Sequence, residues 1–266
     1  MPDDTPIWRY MNLTKFLAML VSKTLWFAKT KYLEDKYEGF AQAKGGEMPG
    51  NDRSAKCITR TTGEGVTDVI SVPQAMVELS RSSAAYFENA REHLYVNSWC
   101  AGAESMAMWE IYGANGCGIA VKSSVGQYKR AARFEIREEQ YAFGKVEYQD
   151  DPRFNPALSF DFSTGSIPVG SGLWERLLPV AFHKRICFEY EREWRGALYQ
   201  DFRPDCYGCN IDFDLGELIS AVYVGPRAGR FFFDVVGSVM DKFELAKPLE
   251  ISALLESVQK KIAVSS

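Results

Sequence analysis

Seven short runs of branched and aromatic residues recur along this chain: IWRYM at 7–11, TLWFA at 24–28, LYVNSWCA at 94–101, CGIAVKSS at 117–124, AFGKVEYQD at 142–150, WRGALY at 194–199 and ISAVYVG at 219–225. Each has the length and side-chain type of a strand. Between them lie stretches with helical spacing, as where Leu13, Phe16, Leu17 and Leu20 follow one another beside the capping candidates Asn12 and Thr14. Strands and helices keep no strict βαβ rhythm, which argues against a doubly wound parallel sheet. The expected fold class is α+β: a mixed, largely antiparallel sheet flanked by helices, in a single domain.

Further helices are expected over 73–93, 102–116, 125–133 and 173–193, the last carrying Leu173, Leu177, Val180, Ala181 and Ile186 on its apolar side. Residues 228–243 and 248–262 read as two amphipathic helices or a helix with a short strand, and DFRPDCYGCN at 201–210 as a turn. The stretch 44–71 is rich in Gly, Ser, Thr and charge and reads as a long, exposed and mobile insertion. With 46% hydrophobic residues over 266 positions, residues 1–266 suffice for one large core and are expected to form a single globular domain.

Composition removes several function classes. Lys and Arg number 31 against 35 Asp and Glu, so the net charge of -4 leaves no overall footprint for sequence-independent nucleic-acid or anionic-membrane binding, while a local basic patch stays open. No apolar run approaches the roughly 20 residues that span a bilayer. The start MPDDTPIW lacks a secretory pattern, so a soluble, cytoplasmic protein with no membrane partner is expected. The six cysteines lie mostly in apolar contexts that suit reduced thiols. Only Cys206 and Cys209 have metal-ligand or redox spacing, without a second such pair or a His pair nearby. Dinucleotide, Walker A, zincin and serine-elbow motifs are all missing. With only His93 and His183 present, chemistry must rest on carboxylates, cations and hydroxyls.

The densest charge is in EYEREWR, Glu189 to Arg195, directly before the buried-looking GALY. If extended, Glu189, Glu191, Glu193 and Arg195 share one face. If helical, Glu191 reaches Arg195 at i,i+4. Either way like charges crowd, and a cation from elsewhere, Arg9 or Lys184, is needed. Arg9 sits inside the aromatic run WRY, where a guanidinium must reach the surface or find an anion, whether a protein carboxylate or a ligand phosphate. Asp35 and Glu38 follow a strand on a loop, a common place for working residues, although Asp35 also suits an N-cap. Trp99, Trp109 and Tyr112 read chiefly as packing residues around Glu104.

These pieces, in this order, resemble the bacterial family named domain of unknown function 2971. The matches are Arg9-Tyr10, Leu25 to Phe27, Asp35 with Glu38, Glu104 with Met108-Trp109 and Tyr112, Gly118 to Val121, and Val146 with Tyr148. Lys184 with Glu191, Glu193 and Arg195, and Val224 to Pro226, complete a pattern that covers nearly the whole chain. The pattern is also similar to ADP-ribosyltransferases: an Arg on the first strand and a late, strand-associated Glu. The second-strand Ser of those enzymes is absent here, where only Thr24 and Thr30 flank aromatics.

That resemblance implies NAD as substrate, with Arg9 on its pyrophosphate and Glu193 or Glu191 catalytic at an oxocarbenium-like centre. It implies Tyr10, Lys184, Asp35, Glu38 and Tyr112 as further NAD-binding positions and no resident metal. The implied role is a toxin or anti-phage effector acting on a protein or nucleic-acid acceptor, with an antitoxin or other partner protein. Two alternatives stand beside it: a non-enzymatic regulatory module whose charges form a structural network, and a metal-dependent nuclease using Asp35, Glu38 and Glu104.

Overall fold

A computed structural model describes residues 2–35, 38, 91–133, 140–150, 178–200 and 206–255, together with the backbone of 57–61 and 67–71. The strands are β1 (Pro6–Met11), β2 (Thr24–Lys29), β3 (Cys57–Thr61), β4 (Thr67–Ser71), β5 (Leu94–Ala101), β6 (Ile119–Ser124), β7 (Tyr141–Lys145), β8 (Glu147–Gln149), β9 (His183–Arg185), β10 (Glu193–Tyr199), β11 (Gly208–Asp212), β12 (Ala221–Val224) and β13 (Leu249–Ile251). The helices are α1 (Leu13–Ser22), α2 (Met106–Ile111), α3 (Val125–Ala131), α4 (Leu215–Leu218) and α5 (Arg230–Lys242). The fold is α+β, as its sequence pattern predicts: one large sheet, antiparallel except for the β12–β13 pair, flanked by helices.

The sheet is divided around β5. All seven residues of β10 pair with β5, from Glu193 opposite Cys100 to Tyr199 opposite Leu94. The other edge of β5 is shared. β1 takes its C-terminal end through Ile7 and Trp8, opposite Ala101 and Cys100. β2 takes its N-terminal end through Ala28 and Lys29, opposite Val96 and Tyr95. Between these contacts β1 and β2 diverge, and side chains stand in for the missing ladder. The Asn97 amide donates to Trp26 O at 2.8 Å, and Arg9 Nη1 donates to Ser98 O at 2.8 Å. Unpaired backbone groups are costly when dry, so a split of this kind persists only with such substitutes.

Strand alternation sorts the two faces. Ile7, Met11, Trp99 and Val121 join Phe16 and Leu20 of α1, Tyr128 of α3, and Val236 and Met240 of α5 in the main core. Tyr128 packs so tightly against β10 that a Cβ on Gly196 would collide with its hydroxyl, which explains a glycine in a fully buried strand. The opposite face carries two smaller apolar clusters. One is Leu94, Val96, Ala197 and Tyr199 beneath Leu178 and Val180. The other is Trp8, Tyr10, Cys100 and Ala120 beneath Met108 and Trp109 of α2. Between them the same face of β5 and β10 presents Ser98, Glu193 and Arg195.

Some local expectations change. Where helical spacing predicts a helix over 173–193, residues 178–182 and 186–191 are separate 3₁₀ turns with β9 between them, paired in parallel with β8. Pro179 cannot donate the bond a helix interior needs, and the pairing with β8 supplies an alternative. Arg192 then adopts the left-handed region at φ 45° before β10 begins. Part of the expected turn at 201–210 is β11, recruited by the edge of β2. The run 142–150 breaks at Val146, whose N–H donates to Glu193 O at 2.9 Å. Within 44–71 the described part is an antiparallel β3–β4 pair; the rest of that stretch, and 73–90 of the next expected helix, lie outside the described residues.

Candidate active site

The kink at Arg192 places Glu191, at the end of a 3₁₀ turn, and Glu193, at the start of β10, on one buried polar cluster; they are 1% and 6% exposed. Lys184 of β9 lies at its centre. Its ammonium stands 2.6 Å from Glu191 Oε2, 2.9 Å from Glu38 Oε1 and 3.2 Å from Glu193 Oε1. Arg195 completes the cluster: Nη2 meets Glu38 Oε2 at 2.9 Å and Glu193 Oε2, Nη1 donates to Ala181 O at 2.7 Å, and Nε donates to Ser98 Oγ at 3.3 Å. Tyr112 at the end of α2 donates to Glu191 Oε1 at 3.0 Å, and the Glu193 N–H donates to Tyr148 Oη at 2.8 Å.

Three carboxylates on two cations cannot all be equally comfortable, and the two glutamates separate. Burial pushes the Glu191 carboxyl up to about 7, helped by the neighbouring Glu193 and opposed by Lys184. Burial acts on Glu193 in the same direction, but the charges of Arg195 and Lys184 outweigh it and hold the group at about 2. Desolvation alone would lower Lys184, yet Glu193 and Glu38 raise it above its ordinary value. Near neutral pH the cluster therefore holds a firmly ionised Glu193 beside a Glu191 that exchanges its proton, the divergence that acid–base chemistry exploits.

Arg9 contrasts with this. Alternation starts its side chain on the main-core face, and the guanidinium reaches the split at Ser98 O. Among the described residues it forms no ion pair. Burial lowers it to about 10, so it is charged at neutral pH with donors to spare. Both Arg9 and the cluster line one cleft of about 910 Å³, near the upper end of ordinary ligand sites.

All eight residues singled out from the sequence line this cleft: Arg9, Tyr10, Asp35, Glu38, Tyr112, Lys184, Glu191 and Glu193. Their contacts differ from expectation in several places. Arg9 makes no bond to the late glutamates; Lys184 is their partner. Asp35 pairs with Arg185 at 3.1 Å. The Tyr10 hydroxyl accepts from Ser105 N at 2.9 Å, an anchor for the start of α2. Arg195 and Ser98 were not singled out as site residues. Their signal was present in alternation, which puts Arg195 on the face of Glu193, and in a lone hydroxyl within the apolar run VNSWCA.

The carboxylates of the nuclease alternative are held apart in separate bonds. Asp35 is on Arg185, Glu38 on Lys184 and Arg195, and Glu104 accepts from Trp109 Nε1 at 2.7 Å. Among the described residues no group of three His, Cys, Asp or Glu could hold a metal ion. Cys206 lies 3.4 Å from the Tyr95 hydroxyl, and burial pushes the Cys209 thiol up to about 12. Among the described residues no helix is long and apolar enough to cross a membrane.

No protein-family model matches the chain, and no curated protein matches it. Among solved structures it aligns with DarT of Thermus sp. 2.9. The complex with carba-NAD+ gives a TM-score of 0.37 at 10% identity, covering 94% of this chain and 96% of that one. The complex with NAD+ gives 0.36 at 12%, over 94% and 96%. The complex with ADP-ribosylated ssDNA gives 0.37 at 10%, over 94% and 95%. At this level of similarity, function is read from the cleft's own chemistry.

Proposed function

We propose that the cleft binds NAD and transfers ADP-ribose from it. One juxtaposition carries the reading: Arg9, a charged guanidinium with no ion pair among the described residues, shares a cleft with an ionised buried carboxylate, Glu193. The guanidinium fork suits the pyrophosphate. Scission of the bond between ribose C1′ and the nicotinamide nitrogen sends the electron pair to the ring, which leaves neutral, and a carboxylate stabilises the cationic sugar left behind. Glu193 is assigned that role. A nucleophile adding at C1′ must lose a proton, and Glu191, titrating near neutrality, is assigned to take it. Tyr10, Lys184 and Tyr112 complete the NAD-binding surface in this reading, with Asp35 and Glu38 lining the cleft beside them.

The acceptor is proposed to be a base of single-stranded nucleic acid. Trp26, Tyr32 and Tyr112 line the cleft while remaining 45%, 44% and 44% exposed, and Tyr207 packs at a tilt against Tyr32 with ring centroids 4.6 Å apart. Exposed rings of this kind suit unpaired bases, which stack for about 1–3 kcal/mol each. Modification of nucleic acid fits a toxin or anti-phage effector in the cytoplasm, held in check by a partner protein. The test is incubation of purified protein with adenine-labelled NAD and a single-stranded oligonucleotide. Nicotinamide release with label on the oligonucleotide is the expected result; label on protein alone overturns the acceptor, and no nicotinamide release overturns the enzyme.

A further inference from the structure

Ser98 ties two guanidiniums to one point. Its carbonyl accepts from Arg9 at 2.8 Å and its hydroxyl from Arg195 at 3.3 Å, so the two cations flank a single residue in the wall of the same cleft. They are not in equal states. Arg9 forms no ion pair among the described residues, whereas Arg195 and Lys184 together grip the Glu38 carboxylate, one oxygen each, both at 2.9 Å. Glu193 and Glu191 belong to the same stretch of chain as these cations, but Glu38 arrives from the loop after β2, 157 positions from Arg195. Two cations bridging the two oxygens of one anion is also how a phosphate would be held.

We propose that Lys184 and Arg195 form a second anion subsite beside Arg9, that Glu38 fills it in the ligand-free protein, and that the second phosphate of a pyrophosphate-bearing ligand displaces Glu38. Glu38 is thus a built-in competitor. Without it the cluster keeps two cations against Glu193 and a Glu191 that is protonated part of the time, so an anion is drawn in. The Asp35–Arg185 pair, 3.1 Å and on the same loop, helps to hold Glu38 in place. The inference rests on the NAD-binding reading for its ligand but not for its test.

The probe is inorganic pyrophosphate, titrated by calorimetry into wild type, Glu38→Gln and Asp35→Asn, with thermal melts to establish that each is folded. Glu38→Gln should bind pyrophosphate about tenfold more tightly, since it loses a competing charge of about 1.4 kcal/mol. Addition of Lys184→Met should remove the gain. Asp35→Asn, whose ion-pair partner Arg185 is 37% exposed, should fold readily and tighten binding two- to threefold. Unchanged or weaker pyrophosphate binding in both single variants, or no binding by any of the proteins, overturns the proposal. Because no turnover is measured, an inactive enzyme with tightened binding would contradict the proposed reaction and leave this inference standing.

Discussion

Two regions of one cleft handle positive charge in opposite ways. Around Lys184 and Arg195 nearly every donor is matched to an acid or a carbonyl, and both cations are raised above their ordinary values once acids outweigh burial. At the split in the sheet, Arg9 bonds one carbonyl and, among the described residues, forms no ion pair, and burial lowers it. A matched buried cluster contributes architecture, because removing one member strands the others. Arg9 contributes its one bond to Ser98 O to the split sheet, but its remaining donors and its buried charge are retained at an energetic cost, which is the condition of a group kept for a ligand.

The sharpest way to break the contrast is Lys184→Met. It leaves Glu38, Glu191 and Glu193 with Arg195 alone, and should lower unfolding free energy by about 3–5 kcal/mol in a denaturant titration. A loss below about 1 kcal/mol would mean that the cluster is not dry. Next comes pH. Glu191, with a folded value of about 7 against 4.5, binds a proton on folding, so its contribution to stability is full below pH 4.5 and falls as pH rises to 7. Glu193, at about 2 against 4.5, gives stability that is full above 4.5 and lost as pH falls toward 2. Thermal melts should therefore peak near pH 4.5 to 5 for this pair, and Glu191→Gln should flatten the limb between 4.5 and 7. A wild-type limb that rises with pH there, or is unchanged in the variant, contradicts the assignment. The smallest effect is expected at the surface pair Arg130–Glu217, 2.7 Å apart but 62% and 38% exposed. Arg130→Ala should cost about 1 kcal/mol or less, since water already solvates both groups.

The strands were legible because they are short, aromatic and bounded by turns: β1, β2, β5, β6, β10 and β12 lie where their composition places them. The stretch 178–192 was not, because its apolar spacing suits a helix while its real partner, β8, is a strand more than thirty positions away. The site shows the same division. Crowded charge at 189–195 implied a distant cation, and Lys184 supplies it. That Arg9 would bond the carbonyl of Ser98 could not be read, since it follows from where β1 parts from β5. Nor could the grip of two cations on Glu38, which joins the segments 33–38 and 184–195 across the cleft.

The central claim is that Arg9, without an ion pair among the described residues, is kept to hold the phosphates of a ligand. The direct measurement is calorimetric titration of NAD into wild type and Arg9→Met, with unfolding free energies for both. Wild type should bind, and the variant should bind at least tenfold more weakly, through the loss of charge-assisted bonds of about 1.5–3 kcal/mol, while remaining folded with stability lowered by about 1–3 kcal/mol, the cost of leaving Ser98 O unpaired. Equal affinity in the two proteins, or loss of folding in place of loss of binding, would show that Arg9 serves the sheet rather than a ligand.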